Sequence, residues 1–275
     1  MKLDRTLRDL PDVVNHYRAG GEGERLSHGP GELERLRTEE VLSRSFPNPP
    51  ARILDVGGGP GTYVLSLLDR GFDVHLIDLV PEHVTDAGRL FEERGHTGRA
   101  SVGDARELDV ESESRDAVLL LGPLYHLLER EDRLRALGEA RRVVRPGGHV
   151  YVAAISRYAS VLDGFARGLV RDPEYVSMML EDIRTGRHKN PPGKDYFTTA
   201  YFHTPDEFTA EIRDSGLDLL NVVGVEGPFW CLSDFRGRWE DMATRQLMLS
   251  TLRDLESESW VLSMSAHLLA TAWRP

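Results

Sequence analysis

Between Ile53 and Gly61 the chain runs Ile-Leu-Asp-Val-Gly-Gly-Gly-Pro-Gly, an apolar strand that ends on an acid and breaks at once into glycines around a proline. Gly57, Gly59 and Gly61 stand at alternate positions. With no Cβ they let the backbone turn through conformations closed to other residues, and a bulky ligand can lie against bare main chain. The segment that follows is legible too: Val64, Leu67 and Leu68 share one helical face, and Gly71 stops that helix. Strand, glycine turn and helix in this order point to an open α/β sheet and mark the turn as one that receives a nucleoside.

The rest of the chain agrees with that class. From Arg52 onward, strand patterns near 52–56, 73–79, 99–103, 116–121 and 149–155 alternate with helical ones. Strands apolar on both faces, such as Val118-Leu119-Leu120-Leu121, predict a mostly parallel sheet covered by helices. A helix near 131–144 turns Leu134, Leu137 and Val144 inward and ends at Arg145-Pro146-Gly147-Gly148, a run suited to a type II turn. After Ser156 the alternation stops. Tyr158, Leu162, Phe165 and Leu169, then Val176, Met179, Leu180 and Ile183, follow helical spacing before the loop Asn190-Pro191-Pro192-Gly193. Residues 157–203 are therefore expected to form an inserted helical cap. Its aromatic tail, Tyr196, Phe197, Tyr201 and Phe202, should look toward the sheet's C-terminal edge, where open α/β folds bind ligands. The cap's aromatics, Tyr158 and Phe165 included, argue against a wet surface.

A capping box at Thr204 to Glu207 starts the next helix with Pro205 in its first turn. A strand near 217–225, a helix near 240–255 and a last strand at 267–273 complete the pattern. Residues 1–50 are expected to form an N-terminal helical arm, broken at Gly20 to Gly23 and at His28-Gly29-Pro30-Gly31. The expected parts are thus 1–50 as arm and lid, 51–156 as the ligand-binding core, 157–203 as the cap and 204–275 as the remainder of the core.

Charge narrows the partners. Against 34 Lys and Arg stand 45 Asp and Glu, a formal net charge of -11 over 275 residues, which repels polyphosphate and anionic membrane alike. Neither a nucleic-acid nor a membrane partner is expected. Cys231 stands alone, no Cys/His cluster has zinc spacing, and the first residues carry charges where a signal peptide needs an apolar block. These features point to the cytoplasm. A homodimer is compatible with the sequence. Charge runs such as Glu129-Arg130-Glu131-Asp132-Arg133 are expected to be solvated helix surface.

A glycine turn alone also serves nicotinamide and flavin proteins. Here, however, Thr62 stands where the dinucleotide pattern has its third glycine. The second strand ends at Asp78, placed to accept from a ribose diol, and the third ends at Gly103-Asp104-Ala105, which brings another acid to the same crevice. With these elements the chain resembles the class I S-adenosylmethionine-dependent methyltransferases, particularly small-molecule enzymes of bacterial secondary metabolism.

The resemblance spans roughly residues 10–275 and implies a Rossmann-like, seven-stranded, mostly parallel sheet whose last strand is antiparallel. It implies that Asp55, Gly57, Gly59 and Gly61 cradle the methionine part of S-adenosyl-L-methionine. It further implies that Asp78 holds the ribose and Leu79 packs on the adenine, while Asp104 and the Ala105 amide read the adenine edge and Leu121 borders the cofactor. Tyr17 and Arg25 become candidates to meet the cofactor's carboxylate, and the Pro146-Gly147-Gly148 run matches the family's element before its fifth strand. The product would be S-adenosyl-L-homocysteine.

In this family the loop after the fourth strand, here Gly122 to Leu127, carries substrate and catalytic groups. That makes His126 one candidate base and His203, at the mouth of the cap, a second, because imidazole titrates near neutrality. His126 packing on the cofactor or satisfying a backbone carbonyl is the competing reading. Tyr125, His126, Tyr196, Tyr201, Phe202 and Trp230 are the expected substrate contacts. The acidic, Asn-rich pattern of metal-dependent catechol methyltransferases is missing after the fourth strand, so no metal is expected. The expected reaction is in-line methyl transfer to an oxygen, nitrogen or carbon of a small, partly apolar acceptor. The alternatives are an RNA or protein methyltransferase, a cofactor-binding partner protein without catalysis, and a nicotinamide oxidoreductase that would leave Asp104 without a use.

Overall fold

The computed structural model describes residues 11–18, 25–194 and 196–275. Two short segments precede the sheet: α1 (Pro11–Arg18) and α2 (Gly29–Ser43), the latter opening with Pro30 in its first turn. The second break expected in the arm is therefore the start of a helix, as a proline at a first-turn position allows. The Gly20 to Gly23 break lies outside the described residues.

The first half of the sheet is built from β1 (Arg52–Val56), α3 (Thr62–Asp69), β2 (Asp73–Asp78), α4 (Pro81–Glu93), β3 (Arg99–Val102) and β4 (Arg115–Leu120). Then come α5 (Arg130–Val143) and β5 (Val144–Ser156). Strands β3, β2, β1, β4 and β5 lie side by side and parallel. At the far edge β9 (His267–Trp273) runs antiparallel between β5 and β8 (Asp218–Gly224). These seven strands are the expected Rossmann-like sheet.

Strand alternation divides their side chains between two cores. Leu54, Val118, Leu120, Val150 and Val152 pack under α5 and under α8 (Pro205–Asp214), while Ile53, Val74, Leu76, Leu119 and Tyr151 pack under α3 and α4. Helix α2 belongs to the core rather than to a separate arm: Val41 packs with Ala153, Val223, Val225 and Leu269, and Leu33 with Phe235, Trp239, Met248 and Leu252. Three further helices, α9 (Phe235–Glu240), α10 (Met242–Leu255) and α11 (Ser259–Met264), cover that end. Among the described residues no helix is long and apolar enough to cross a membrane.

Two expectations change. The Arg145 to Gly148 run does not separate helix from strand; it bulges out of β5, whose pairing with β4 shifts register there, and Gly147 supplies the positive φ of 76°. The cap is not wholly helical. Helices α6 (Ala159–Arg167) and α7 (Pro173–Thr185) are followed by the short antiparallel pair β6 (Arg187–His188) and β7 (Ala200–His203). Beyond the end of β4, β7 pairs parallel to the tip of β5, Ile155 with Phe202. The cap is thereby stitched into the main sheet.

Candidate functional site

The C-terminal ends of β1, β2 and β4 enclose a cleft. Its floor is the glycine turn. Gly57 sits at φ 73°, donates its N–H to Ile77 O at 2.7 Å, and has Pro123 so close that a Cβ would meet the proline ring at 2.5 Å. At Gly59, φ 55°, a Cβ would meet nothing within 4 Å, so the main chain faces open space. Gly61 differs from expectation: it precedes α3, is buried against Phe91 and Ala87, and does not line the cleft.

Three acids ring the turn. Asp55 is 1% exposed and its Oδ2 has no partner. Burial and the neighbouring charge of Asp78 raise its carboxyl to about 7. Asp78, at the end of β2, accepts from the N–H groups of Gly59 and Val80, each at 2.8 Å, and from His83 Nδ1 at 3.3 Å, so one carboxylate fixes both loops beside the cleft. Asp104 accepts from Arg106 Nε and Nη2, and Arg106 continues to Asp132 at 2.7 Å. Leu79, Ala105 and Leu121 supply apolar walls between the acids.

The cleft is roofed by Tyr17 and His126. The Tyr17 hydroxyl donates to His126 Nε2 at 2.8 Å, and His126 Nδ1 faces Thr199 O at 3.4 Å, so both ring nitrogens are engaged. Burial lowers this histidine to about 4, which keeps it neutral and a weak base. Of the two readings of His126, the structure shows the packed one.

A second cavity lies under the cap. Tyr125, Tyr175, Tyr196, Phe197, Phe202 and Trp230 are aromatic parts of its wall, with Ser160, Asp163, His188 and His267 among the polar groups. The Ser160 hydroxyl and His188 Nε2 are buried without a partner, while His188 Nδ1 is bound to Asp182 at 2.9 Å. Tyr17, Arg25, Tyr125 and His267 border both this cavity and the cleft.

Successive residues of a strand point to opposite faces, and that decides the roles on β7. Phe202 faces the cavity. Tyr201 and His203 face away and line neither space, contrary to the expected substrate and base roles. Tyr201 instead lies under the Arg133 guanidinium, 3.7 Å from its ring centre, and fully buried His203 places Nε2 3.2 Å from Glu211 Oε2. Arg133 is itself only 2% exposed, not solvated as the charge run suggested. It forks onto Glu211 at 2.6 and 2.9 Å and donates to Leu127 O and Leu128 O. Phe165 is the other departure, 67% exposed on the outside of the cap.

Where β9 begins, beside the neck between the two spaces, four charged groups meet. Arg25 forks onto Glu34 at 2.5 and 3.0 Å, and His267 Nδ1 lies 2.5 Å from Glu226 Oε1 and 3.7 Å from Glu34 Oε2. Glu34, Glu226 and His267 bring donor atoms within 4.8 Å of one another. Their carboxylates already take Arg25, the imidazole, Ser265 Oγ and the His267 amide, so internal cations and donors fill the places a metal would need.

Comparison with known proteins decides the family. A family model described as a methyltransferase domain matches residues 53–148. The ubiquinone biosynthesis O-methyltransferase of Xanthomonas axonopodis pv. citri (strain 306) is 30% identical over 194 residues, 70% of this chain and 73% of that protein. The chain belongs to the class I S-adenosylmethionine-dependent methyltransferases. The glycine/sarcosine N-methyltransferase of Halorhodospira halochloris is 34% identical to this methyltransferase over 199 residues, covering 69% of this chain and 70% of the relative. Other relatives are matched over as little as 42% of their length. In fold, the enzyme is similar to the geranyl diphosphate C-methyltransferase of Streptomyces coelicolor A3(2), solved with Mg2+, geranyl diphosphate and S-adenosyl-L-homocysteine. The TM-score is 0.54 at 14% identity, covering 89% of this chain and 81% of that one.

The methyltransferase uses S-adenosyl-L-methionine, and its cleft fits that molecule. Open space over the Gly59 main chain, an unpartnered Asp55 oxygen within the influence of the Asp78 charge, and the apolar side chains of Leu79 and Leu121 suit a ligand that joins a flat base to a cationic tail. Every cofactor residue named from the sequence except Gly61 lines the cleft. Sequence reasoning missed Arg106, His188 and the His267–Glu226 pair. Only His267 left a signal: it opens the final strand, and because β9 is antiparallel its first residue stands at the C-terminal edge of the parallel strands.

Proposed function

We propose that this methyltransferase methylates a small, partly apolar acceptor seated in the cap cavity, at the neck shared with the cofactor cleft. The observation that carries the reading is that neck: two partly open spaces, one fitted to a nucleoside and one walled by aromatic side chains, meet at Tyr17, Arg25, Tyr125 and His267. When bound, S-adenosyl-L-methionine supplies an electrophilic methyl group on a sulfonium centre. The protein's contribution is to hold the acceptor in line and keep water out, so rate comes chiefly from proximity and orientation.

In this reading Asp55, Gly57 and Gly59 hold the methionine part, Asp78 takes the ribose hydroxyls, and Leu79 and the Ala105 amide meet the adenine beside Asp104 and Leu121. Tyr17 closes over the cofactor, and Arg25 reaches its carboxylate only by sharing its guanidinium with Glu34. Tyr125, Tyr196, Phe202 and Trp230 shape the acceptor pocket. The relatives named for ubiquinone biosynthesis and for glycine and sarcosine methylation act on small molecules, which supports the same class here. So does the net charge of -11, which disfavours RNA.

Incubation with radiolabelled cofactor and panels of small phenols, enols and amines, alongside bulk RNA and protein, tests the proposal. Label in small organic products supports it. Label only in macromolecules, with S-adenosyl-L-homocysteine still bound, would overturn it.

A further inference from the structure

The polar side chains that line the cap cavity but not the cofactor cleft divide into two kinds. Most are bound within the protein. The Tyr175 hydroxyl donates to Ser160 O at 2.6 Å, the Tyr196 hydroxyl to Asp172 Oδ2 at 2.7 Å and Trp230 Nε1 to Met264 O at 2.9 Å, while Asp163 accepts from Arg167 at 3.0 Å. Two atoms are left over. Ser160 Oγ and His188 Nε2 have no hydrogen-bond partner, in residues that are 7% and 2% exposed. Among the described residues, the only other buried side chain with an unpaired polar atom in either space is Asp55, in the cofactor cleft.

Local structure explains why both stay bare. A serine inside a helix commonly bonds the carbonyl one turn back, but Ser160 is the second residue of α6 and has no helical turn behind it. The histidine is gripped from two sides. Its Nδ1 lies 2.9 Å from Oδ2 of fully buried Asp182 on α7, and its ring stacks on Phe202 of β7 with centroids 4.9 Å apart. A ring held this way cannot turn to find another partner for Nε2. Unpaired polar atoms inside a protein destabilise it, and here two of them share the wall of one cavity.

We propose that Ser160 and His188 bind a hydroxyl group of the acceptor remote from the atom that is methylated, so that the substrate carries a polar group at each end of an apolar body. The proposal rests on the acceptor reading above and names its substrate class. A hydroxyl suits both partners, since it can accept from or donate to a serine, and it meets an imidazole nitrogen as donor or as acceptor according to the ring's proton. A hydrocarbon terminus would leave both atoms unpaired. No proton leaves the acceptor through His188 in this role. The pair selects the substrate, because a site that hydrogen-bonds a hydroxyl strongly rejects the analogue without one.

The test uses the full chain with 15N-labelled histidine, saturated with S-adenosyl-L-homocysteine. It is titrated with 4-methoxyphenol, which joins a methyl ether to a remote hydroxyl, and with anisole, which lacks the hydroxyl. The expected Kd is roughly five- to tenfold lower for 4-methoxyphenol, the net worth of about one hydrogen bond. The His188 Nε2 signal should move with the hydroxylated probe and stay in place with anisole. Ser160→Ala and His188→Phe should each narrow the ratio of the two Kd values while S-adenosyl-L-homocysteine binds as before. Should His188→Phe fail to fold because Asp182 is stranded, Ser160→Ala decides alone. Equal Kd values for the two probes in the wild type, or a ratio that folded variants leave unchanged, overturns the proposal while the acceptor cavity stands. If neither probe binds although S-adenosyl-L-homocysteine does, the acceptor reading falls and the proposal with it.

Discussion

Asp78 ties two loops together, and the proposed site would have it take a ligand as well. Its oxygens already receive two backbone N–H groups and His83, so Asp78→Ala should loosen the turn as well as remove bonds to the ribose, each worth roughly 1.5–3 kcal/mol. The expected outcome is S-adenosyl-L-homocysteine binding weakened by a few kcal/mol in calorimetry, at the upper end of about 1.5–3 per charge-assisted bond, together with a lower Tm. Unchanged affinity in a folded variant would remove Asp78 from the cofactor site. Asp55, Asp78 and Asp104 could be picked out because each lies at or just past the C-terminal end of a parallel strand, where open α/β sheets bind ligands. Arg133 was not legible. Its neighbours in sequence are solvated, and only the distant Glu211 and the carbonyls of Leu127 and Leu128 make its burial tolerable. Likewise, no local pattern joins His267 to Glu226, which lie 41 positions apart.

Among the elements, β7 decides most. Its alternation makes adjacent residues unequal, which the same replacement at both positions exposes. Phe202→Leu should change acceptor preference while sparing cofactor affinity. Tyr201→Leu should leave acceptor preference alone and lower Tm, because it removes the ring beneath Arg133. Equal effects on acceptor use would place both rings in one wall and contradict the strand register. Sequence pattern overlooked β6 and β7 because strands of two and four residues, set among Pro191, Pro192 and Gly193, carry too little periodicity to separate from loop. The longer parallel strands were readable since burial on both faces leaves an unbroken apolar run. Helices α5 and α8 are also joined through charge, Arg133 to Glu211. Arg133→Met strands Glu211 in the interior, and breaking a buried pair costs about 3–5 kcal/mol. Denaturant unfolding should show that loss, and the double variant Arg133→Met with Glu211→Leu should recover part of it. If the single variant is as stable as wild type, the pair does not hold the loop after β4 in place.

For the molecule as a whole, stability should peak in mildly acidic solution and fall on both sides. On the acid side, burial lowers His75 and His126 to about 4, so the folded state binds fewer protons than the unfolded one below 6.5 and stability drains as pH falls toward 4. Burial acts to raise Glu211, but its bonds from Arg133 and His203 hold it at about 2, and that contribution goes last. On the alkaline side the signs reverse. The raised Asp55 favours the folded state at low pH, a contribution lost as pH rises through 7, and that of His267 is full below 6.5 and gone beyond 9. Thermal melts from pH 4 to 9 should therefore trace a dome, and a flat profile would show that these groups keep their unfolded-state proton affinities.

The neck shared by the two spaces has a thermodynamic meaning. Because Tyr17, Arg25, Tyr125 and His267 belong to both spaces, whatever fills one resets the wall of the other. Occupancy of the two rooms is coupled, and such coupling is reciprocal. Because the coupling is symmetric, filling either room changes the affinity of the other by the same factor, whichever occupant arrives first.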